Sequence, residues 1–140
     1  MQGCFSFLRS MAPKAERTVT VHPTVPFLNK ATKVHGALVF ASGQLGMREP
    51  GKLVPGGVQA EADQALKNLA DVLAEAGSDI RRCLKVNIFL ADIADFNAFN
   101  EVYVRHFPDP AEAPARTCLQ AGALPLQAKV ELEAVAAAGA

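Results

Sequence analysis

Two charged residues near the C-terminal end of the chain have types and spacing that suit small-molecule chemistry. Arg116 lies in a β-type run over residues 114–118, and Glu131 lies in the next such run, over residues 129–134. If these runs pair as antiparallel neighbours with the turn near Ala123-Leu124, Arg116 and Glu131 face each other. Cross-strand neighbours of that kind have Cβ atoms about 5 Å apart.

The chemistry of such a pair follows from the two side chains. A guanidinium is a fixed fork of donors that grips a carboxylate through two hydrogen bonds. A carboxylate beside it can orient or deprotonate a water molecule. The pair therefore indicates a hydrolytic site for a small acid. A purely structural cross-strand ion pair explains the same two residues, and the sequence chemistry leaves both interpretations open.

Length and composition are those of one globular domain. The chain has 140 residues, of which 50% are hydrophobic and 20% are charged. Its 14 basic and 14 acidic side chains give a formal charge of zero, and its longest basic run is Arg81-Arg82. Nucleic-acid binders usually carry a basic face that neutralises phosphates, so this balance argues against a nucleic-acid partner.

Neither the cysteines nor the histidines have the spacing of a metal site. The cysteines are Cys4, Cys83 and Cys118, and the histidines are His22, His35 and His106. Without a CxxC pair, they predict neither a disulfide framework nor a zinc site, and we expect no metal. No apolar run approaches the roughly 18 residues of a membrane span, so no membrane partner is expected.

The N-terminal residues differ in composition from the rest of the chain. We expect a flexible extension over residues 1–16 and a single domain over residues 17–140. Residues 1–10 contain Arg9, two serines and no acidic residue, which weakly matches an organellar presequence. The expected location is cytoplasmic, with a mitochondrial location as the alternative.

Hydrophobic periodicity predicts alternating strands and helices. The N-terminal part of the pattern predicts a strand over residues 17–22, an extended passage over 23–29, and a strand over 37–41 closed by Ser42-Gly43-Gln44. A loop or loose hairpin over 47–57 and a helix over 58–76, ended by Gly77, follow. The rest of the chain is predicted to form a strand over 83–90, a helix with Asp95 as N-cap and an aromatic stripe to Phe107, and two C-terminal strands.

The predicted arrangement is an α+β sheet with two helices packed on one face. Within the first helix, Glu61 is assigned to the outer, polar face together with the other charged residues. The aromatic stripe of the second helix is assigned to the core. Four strand residues, Val39, Ala41, Val86 and Ile88, are taken to leave apolar groups on both faces of the sheet. An uncovered apolar face implies an oligomer.

Many short motifs in this order resemble the Rid family of reactive intermediate deaminases, also called the YjgF/YER057c/UK114 or L-PSP family. The resemblance runs from about residue 26 to residue 135. The motifs are Ser42-Gly43-Gln44, Gly56-Gly57-Val58, Asn68-Leu69, Ala76-Gly77, Lys85-Val86, Asp95-Phe96, Asn100-Glu101-Val102-Tyr103, Pro114-Ala115-Arg116 and Glu131-Leu132-Glu133-Ala134.

The resemblance implies a chorismate-mutase-like α+β fold with a mixed sheet, assembled as a homotrimer. In that assembly the sheets form a barrel, the helices lie outside, and the active sites lie in clefts between subunits. It also implies a 2-iminobutanoate/2-iminopropanoate deaminase, which hydrolyses imines and their enamine tautomers to 2-keto acids and ammonia. No cofactor is expected.

Residue roles follow from the same resemblance. Arg116 matches the arginine that binds the substrate carboxylate, and Glu131 matches the glutamate that orients the attacking water. Cys118 matches a position whose backbone helps to hold the ligand. Ser42 and Gly43 match a strand end that lines the pocket.

One departure from the family concerns the N-terminal segment. Many active members have a tyrosine there that closes the pocket, whereas this chain has Phe27 in the segment Pro26 to Lys30 and its single tyrosine is Tyr103. Two rival functions stay open, and the missing tyrosine bears on the second of them. One is an endoribonuclease or translation inhibitor, and the other is a non-catalytic module that binds small carboxylates.

Overall fold

In the computed structural model, residues 16–21 and 29–139 are described, with side chains from residue 36 onward. These residues form a mixed six-stranded sheet, a two-stranded hairpin and two α-helices. The helices are α1 (Gly57–Glu75) and α2 (Phe96–His106). The strands are β1 (Glu16–Val21), β2 (Asn29–His35), β3 (Leu38–Leu45), β4 (Met47–Glu49), β5 (Lys52–Leu53), β6 (Cys83–Leu90), β7 (Ala115–Gln120) and β8 (Val130–Ala137).

Strand β6 lies in the interior of the six-stranded sheet, whose order is β1-β2-β7-β6-β8-β3. On one side β6 pairs with β7 in parallel, and on the other it pairs with β8 antiparallel. Val86 stands opposite Arg116 on the first side and opposite Ala134 on the second. The prediction that the two C-terminal runs are neighbouring antiparallel strands is therefore wrong.

The physical reason is that the loop between β7 and β8 crosses the end of β6. Ala121 donates its N–H to the carbonyl of Leu90 at 2.8 Å, and Ala91 donates to the carbonyl of Lys129 at 2.9 Å. Both ends of the loop are thus anchored on the last residues of β6. A short loop is compatible with a hairpin, but here β6 occupies the space between the two strands.

Burial alternates along β6 and β8 because successive side chains of a strand point to opposite faces. The buried positions of both strands lie on the face that the helices cover. Val39 and Ala41 pair with Ala136 and Ala134, so they lie on this same face. The prediction that Val39, Ala41, Val86 and Ile88 leave apolar groups on both faces is wrong. The opposite face, called the open face below, carries other apolar residues: Leu38, Phe40, Phe89, Leu119 and Val135.

Helix α1 ends as its sequence predicts. Gly77 has a left-handed φ of 78°, its N–H bonds to the carbonyl of Ala74, and the N–H of Ser78 bonds to the carbonyl of Leu73. These are the two hydrogen bonds of a Schellman motif, in which glycine is favoured. No helix of the described residues is long and apolar enough to cross a membrane.

The position of Glu61 on α1 differs from the prediction. Glu61 was expected on the polar outer face, but it is only 6% exposed. Its Oε2 atom accepts a hydrogen bond from the backbone N–H of Lys129 at 2.6 Å. Helical periodicity could not show this, because the partner lies 68 residues further along the chain.

Helix α2 packs its aromatic residues into the core as predicted, but it begins differently. Phe99, Tyr103 and Phe107 are buried, and Tyr103 contacts the other two rings at centroid distances of 5.7 and 4.7 Å. The predicted N-cap, Asp95, makes no side-chain capping hydrogen bond. It lies in a 3-10 turn, Ile93–Asp95, whose own cap is Asp92.

The N-terminal half of the sheet extends beyond the predicted strands. The predicted first strand is observed as β1, which begins at Glu16, and β2 was not predicted. Residue 22 of the predicted first strand and residues 23–28 of the predicted extended passage lie outside the described residues. Strand β3 does not end at Ser42 but continues to Leu45 through an irregularity between Ala41 and Gln44. The predicted loose hairpin contains β4 and β5.

The end of β8 is fastened to the segment between α1 and β6. Arg82 donates from Nε to the carbonyl of Ala137 at 3.1 Å and from Nη2 to that of Ala138 at 2.5 Å. Ser78 Oγ donates to the carbonyl of Ala137 at 2.7 Å. Gly139 donates its N–H to the carbonyl of Gly77, also at 2.7 Å. These four hydrogen bonds are called the β8 clamp below.

Asn68 of α1 ties the helix to the end of β3, which gives a test of the fold. Its Nδ2 donates to the carbonyls of Leu45 at 2.9 Å and Met47 at 2.8 Å. Because Asn68→Ala leaves both part-buried carbonyls without this donor, we expect a loss of about 1–3 kcal/mol in unfolding free energy. Urea denaturation measures the loss. The control Asn97→Ala, at an exposed position of α2, should change stability by about 0.5 kcal/mol or less. Equal losses in both variants would contradict the assigned role.

Candidate active site

Arg116 occupies a buried position on the helix-covered face, because it is in register with Val86. Its side chain is 7% exposed. Nη1 donates to Oδ1 of Asn100 at 2.8 Å. The guanidinium carbon lies 4.6 Å from the ring centroid of Tyr103, 5.6 Å from that of Phe96 and 5.7 Å from that of Phe99. We call Asn100 and these three rings the arginine cage.

The arginine cage orients a positive charge that has been largely removed from water. Burial lowers the pKa of the Arg116 guanidinium, while Tyr103 and Cys118 oppose that shift. The group stays cationic at neutral pH, because arginine titrates far above it. Each ring face attracts the cation by about 0.5–2 kcal/mol. These contacts with neutral groups fix the guanidinium in place without neutralising its charge.

Cys118 lies on the same face as Arg116, as expected two residues along a strand. Its side chain is half-buried, and burial raises the pKa of its thiol, while the charge of Arg116 and a hydrogen bond to it act in the opposite direction. The thiol is therefore protonated at neutral pH. A protonated thiol is a poor nucleophile, so the geometry does not support a chemical role for its sulfur.

The outer edge of β7, the strand that carries Arg116, is paired by another described strand at one position. Strand β2 pairs with β7 only at Asn29 and Ala115. From Arg116 to Gln120, no other described strand pairs with this edge. The backbone N–H and C=O groups that point outward there can bind a ligand or another chain.

Glu131 belongs to a different group of residues, on the open face. Its Oε1 atom lies so close to Gly43 that a Cβ added at this glycine would overlap the carboxylate. The irregularity in β3 between Ala41 and Gln44 includes Ser42 and Gly43. The structure therefore brings Gly43 and Glu131 into contact, and Ser42 precedes Gly43 in the chain.

Within one chain, Arg116 and Glu131 do not meet. Glu131 pairs with Phe89 and Arg116 with Val86. Two strand spacings of about 4.8 Å and a stagger of three residues put their Cα atoms roughly 14 Å apart. They also lie on opposite faces, since Glu131 is an odd number of residues from Ala134. Both the facing pair and the structural ion pair predicted from the sequence are therefore wrong.

A cavity of about 200 Å³ lies on the open face. The residues that line this cavity include Lys85 and Asn87, two polar residues that were not predicted from the sequence as site residues. Asn87 Nδ2 donates to Glu133 Oε1 at 3.0 Å, and Lys85 Nζ donates to Thr117 Oγ1 at 2.6 Å. Their alternation with buried residues along β6 was the available signal. Among the described residues there is no group of three or more side chains suited to hold a metal ion.

The sequence profile of the family described as Endoribonuclease L-PSP matches residues 18–138. The chain belongs to this family, which is the Rid or YjgF family. The predicted resemblance and the α+β fold with two helices on one face of a mixed sheet are thereby confirmed.

Named relatives extend this assignment. "Protein mmf2, mitochondrial" of Schizosaccharomyces pombe is 47% identical over 112 residues, covering 78% of this chain and 86% of the relative. The 2-iminobutanoate/2-iminopropanoate deaminase of Rattus norvegicus is 46% identical over 102 residues, covering 72% of this chain and 73% of the relative.

Two solved Rid-family structures show the same fold. The yeast structure named YEO7_yeast has a TM-score of 0.69 at 38% identity and covers 88% of this chain and 99% of its own. The structure of E. coli TdcF with bound serine has a TM-score of 0.66 at 29% identity, covering 84% of this chain and 97% of its own.

The raised pKa of Cys118 predicts how the thiol reacts. Because only the thiolate is alkylated, we expect iodoacetamide to modify Cys118 more slowly at pH 7 than it modifies free cysteine, with a rate that still rises above pH 9. Arg116→Met removes the charge that favours the thiolate, so it should slow the reaction further at each pH. Mass spectrometry of the Cys118 peptide measures both rates. A rate that levels off by pH 8 would show that the thiol is activated.

Proposed function

We propose that this Rid-family protein is an imine deaminase that needs no cofactor and acts on 2-iminopropanoate, 2-iminobutanoate and their enamine tautomers. The observation that carries the proposal is the arginine cage, which holds a largely buried positive charge on β7. Such a charge suits a small carboxylate ligand. The names of the rat and other relatives support the reaction.

The reaction needs few groups. Arg116 binds and aligns the substrate carboxylate, and backbone groups near Cys118 support it. Water adds to the C=N carbon as Glu131 takes one of its protons, and this proton passes to the imine nitrogen, which gives an intermediate with one hydroxyl and one amino group. The hydroxyl proton then moves to the nitrogen, again through Glu131. The C–N bond breaks, ammonia leaves, and the oxygen forms the C=O bond of the 2-keto acid. General-base catalysis of this kind contributes about 10²–10⁴-fold to the rate.

A single subunit cannot apply both groups to one small substrate, because the sheet separates them. We therefore propose that each site combines Arg116 of one subunit with Glu131 of the next. The partner approaches the edge of β7 that no other described strand pairs with beyond Ala115, and it presents its own open face, where Gly43 and Glu131 lie in contact. The absence of a β-carbon at Gly43 leaves room for the carboxylate there.

The assembly that this requires is proposed to be a homotrimer. Apolar side chains on the open face support it, since Phe40 is 75% exposed and Leu38 and Leu119 are each 44% exposed in the isolated chain. Exposed aromatic and aliphatic residues on a sheet face are typical of surfaces that another subunit covers. A closed ring of three copies uses the same two surfaces at every contact.

Variants of Arg116 and Glu131 should separate binding from chemistry. Because a lysine ammonium cannot reproduce the planar fork, Arg116→Ala and Arg116→Lys should both lose binding of 2-oxobutyrate and lose turnover. Glu131→Gln should keep 2-oxobutyrate binding while kcat falls about 10²-fold or more. Calorimetry measures binding. Ammonia release from 2-aminoacrylate, generated in a coupled assay and corrected for spontaneous hydrolysis, measures turnover.

The matched control for these variants is Glu133→Gln, two residues further along the same face of β8. It should keep both binding and turnover. Circular dichroism and sedimentation confirm that each variant is folded and assembled. Equal binding of 2-oxobutyrate by wild type and Arg116→Ala would defeat the proposed site. Binding without turnover in the wild type would favour the carboxylate-binding module instead.

Mixing inactive variants should restore activity if the sites are shared between subunits. When Arg116→Ala and Glu131→Gln chains are unfolded together and refolded in equal amounts, about a quarter of the sites in randomly mixed trimers combine an intact arginine with an intact glutamate. We expect about a quarter of the wild-type activity. A mixture no more active than its separate components would overturn the shared site.

Wild-type chains mixed equally with Arg116→Ala/Glu131→Gln chains provide the control. Sites shared between subunits should leave about a quarter of the activity of an all-wild-type sample, and sites within one chain should leave about half. The fraction of wild-type activity that remains therefore distinguishes sites shared between subunits from sites within one chain.

The alternative functions and the location receive weaker support. RNA cleavage is suggested by the family's description, but a formal charge of zero does not favour phosphate binding. Relatives are named mitochondrial and chloroplastic. For this chain we propose a cytoplasmic location with a mitochondrial one as the alternative, and fluorescent fusions beginning at Met1 and at Met11 distinguish them.

A further inference from the structure

Glu61 is a buried carboxylate that the proposed reaction does not use. It lies in the second turn of α1 and is 6% exposed. Burying a carboxylate is costly unless hydrogen bonds compensate for the lost water. The hydrogen bonds of the Glu61 carboxylate must therefore compensate for the lost hydration.

The Glu61 side chain holds the start of β8. Its Oε2 accepts the backbone N–H of Lys129 at 2.6 Å, a short, charge-assisted hydrogen bond. The carbonyl of Lys129 accepts in turn from Ala91, just after β6. Position 129 is thus fixed from both sides, two residues before Glu131.

The Glu61 backbone packs closely against Gly46, the residue that follows β3. A Cβ added at Gly46 would lie 2.5 Å from both Cα and O of Glu61. The contact between α1 and position 46 therefore leaves no room for a side chain, and only glycine fits there. Gly46 directly follows β3, the strand on which Gly43 meets the Glu131 carboxylate. One residue of α1 therefore contacts Gly46, which follows β3, and Lys129, which precedes β8, and these are the two strands that form the Gly43–Glu131 contact.

We propose that Glu61 is a positioning residue for Glu131. It fixes the start of β8 relative to the end of β3, and so sets where the Glu131 carboxylate stands over Gly43. This role rests on the proposed function, in which Glu131 holds the attacking water. Since Arg116 lies on β7, on the far side of β6 from β8, Glu61 acts on the water-holding half of the site and leaves the carboxylate anchor unchanged.

The experiment compares Glu61→Ala, Glu61→Gln and the control Asp71→Ala at an exposed position of α1, each in the wild-type and Glu131→Gln backgrounds. In the wild-type background we expect Glu61→Ala to lower kcat about tenfold through misplacement of the carboxylate, with KM and the 2-oxobutyrate Kd unchanged. Glu61→Gln keeps an oxygen acceptor and should retain most of kcat. Asp71→Ala should match the wild type.

The Glu131→Gln background distinguishes positioning from a general structural defect. If Glu61 acts through Glu131, Glu61→Ala should cause no further loss of kcat in the Glu131→Gln background. The effects of two residues that act through the same group are not additive. A tenfold loss in both backgrounds, or an equal rise in Kd, would overturn the positioning role. If Glu131→Gln alone left kcat unchanged, the proposed function itself would fail, which is a different result.

Hydrogen exchange gives a readout that does not depend on turnover. The Lys129 amide should exchange faster in Glu61→Ala than in wild type and should be protected again in Glu61→Gln. Unchanged protection of this amide in Glu61→Ala would contradict the proposed contact.

Discussion

The interior position of β6 is the constraint on which the rest of the molecule depends. β3 and β6 are both antiparallel to β8 and therefore parallel to each other, and α1 connects them. β6 and β7 are parallel, and α2 connects them. Parallel connections are nearly always right-handed, so two that advance in the same direction across the sheet put both helices on the same face. The open face, and the separation of Arg116 from Glu131, follow from this topology.

The helix-covered face gives Arg116 an unusual environment for a charged side chain. Removing a guanidinium from water costs free energy, and the amide of Asn100 and three aromatic rings recover part of it. In these surroundings an arriving carboxylate interacts with the charge more strongly than it would in water. The residues that surround Arg116 thus belong both to the core of the fold and to the proposed carboxylate-binding site, and α2 contributes to both.

Sequence reasoning succeeded where local periodicity decides the outcome. Strand β6 and helix α1, with Gly77 at its end, were predicted within a residue or two, because hydrophobic spacing and a left-handed glycine act over short distances. Family motifs predict that Arg116 and Glu131 belong to the active site, and this membership stays a prediction. How those residues perform together is still a proposal.

The failures share a physical cause, which is that the deciding partner is distant in sequence. Glu61 was assigned to solvent because its acceptor role depends on the backbone of Lys129. The adjacency of the C-terminal strands was assumed from a short loop, although β6 lies between them. The sheet face on which Val39 lies depends on how β3 is aligned with β8, and the sequence of one strand alone does not show that register.

The β8 clamp has a consequence for local opening of the molecule. Strand ends usually fray, because their last hydrogen bonds exchange readily with water. Here residues 137–139 are bonded to the segment 77–82, so this end of β8 cannot separate unless the connection between α1 and β6 loosens as well. Helix α1, β6 and β8 consequently form one cooperative unit, and the strand that carries Glu131 is held at both of its ends.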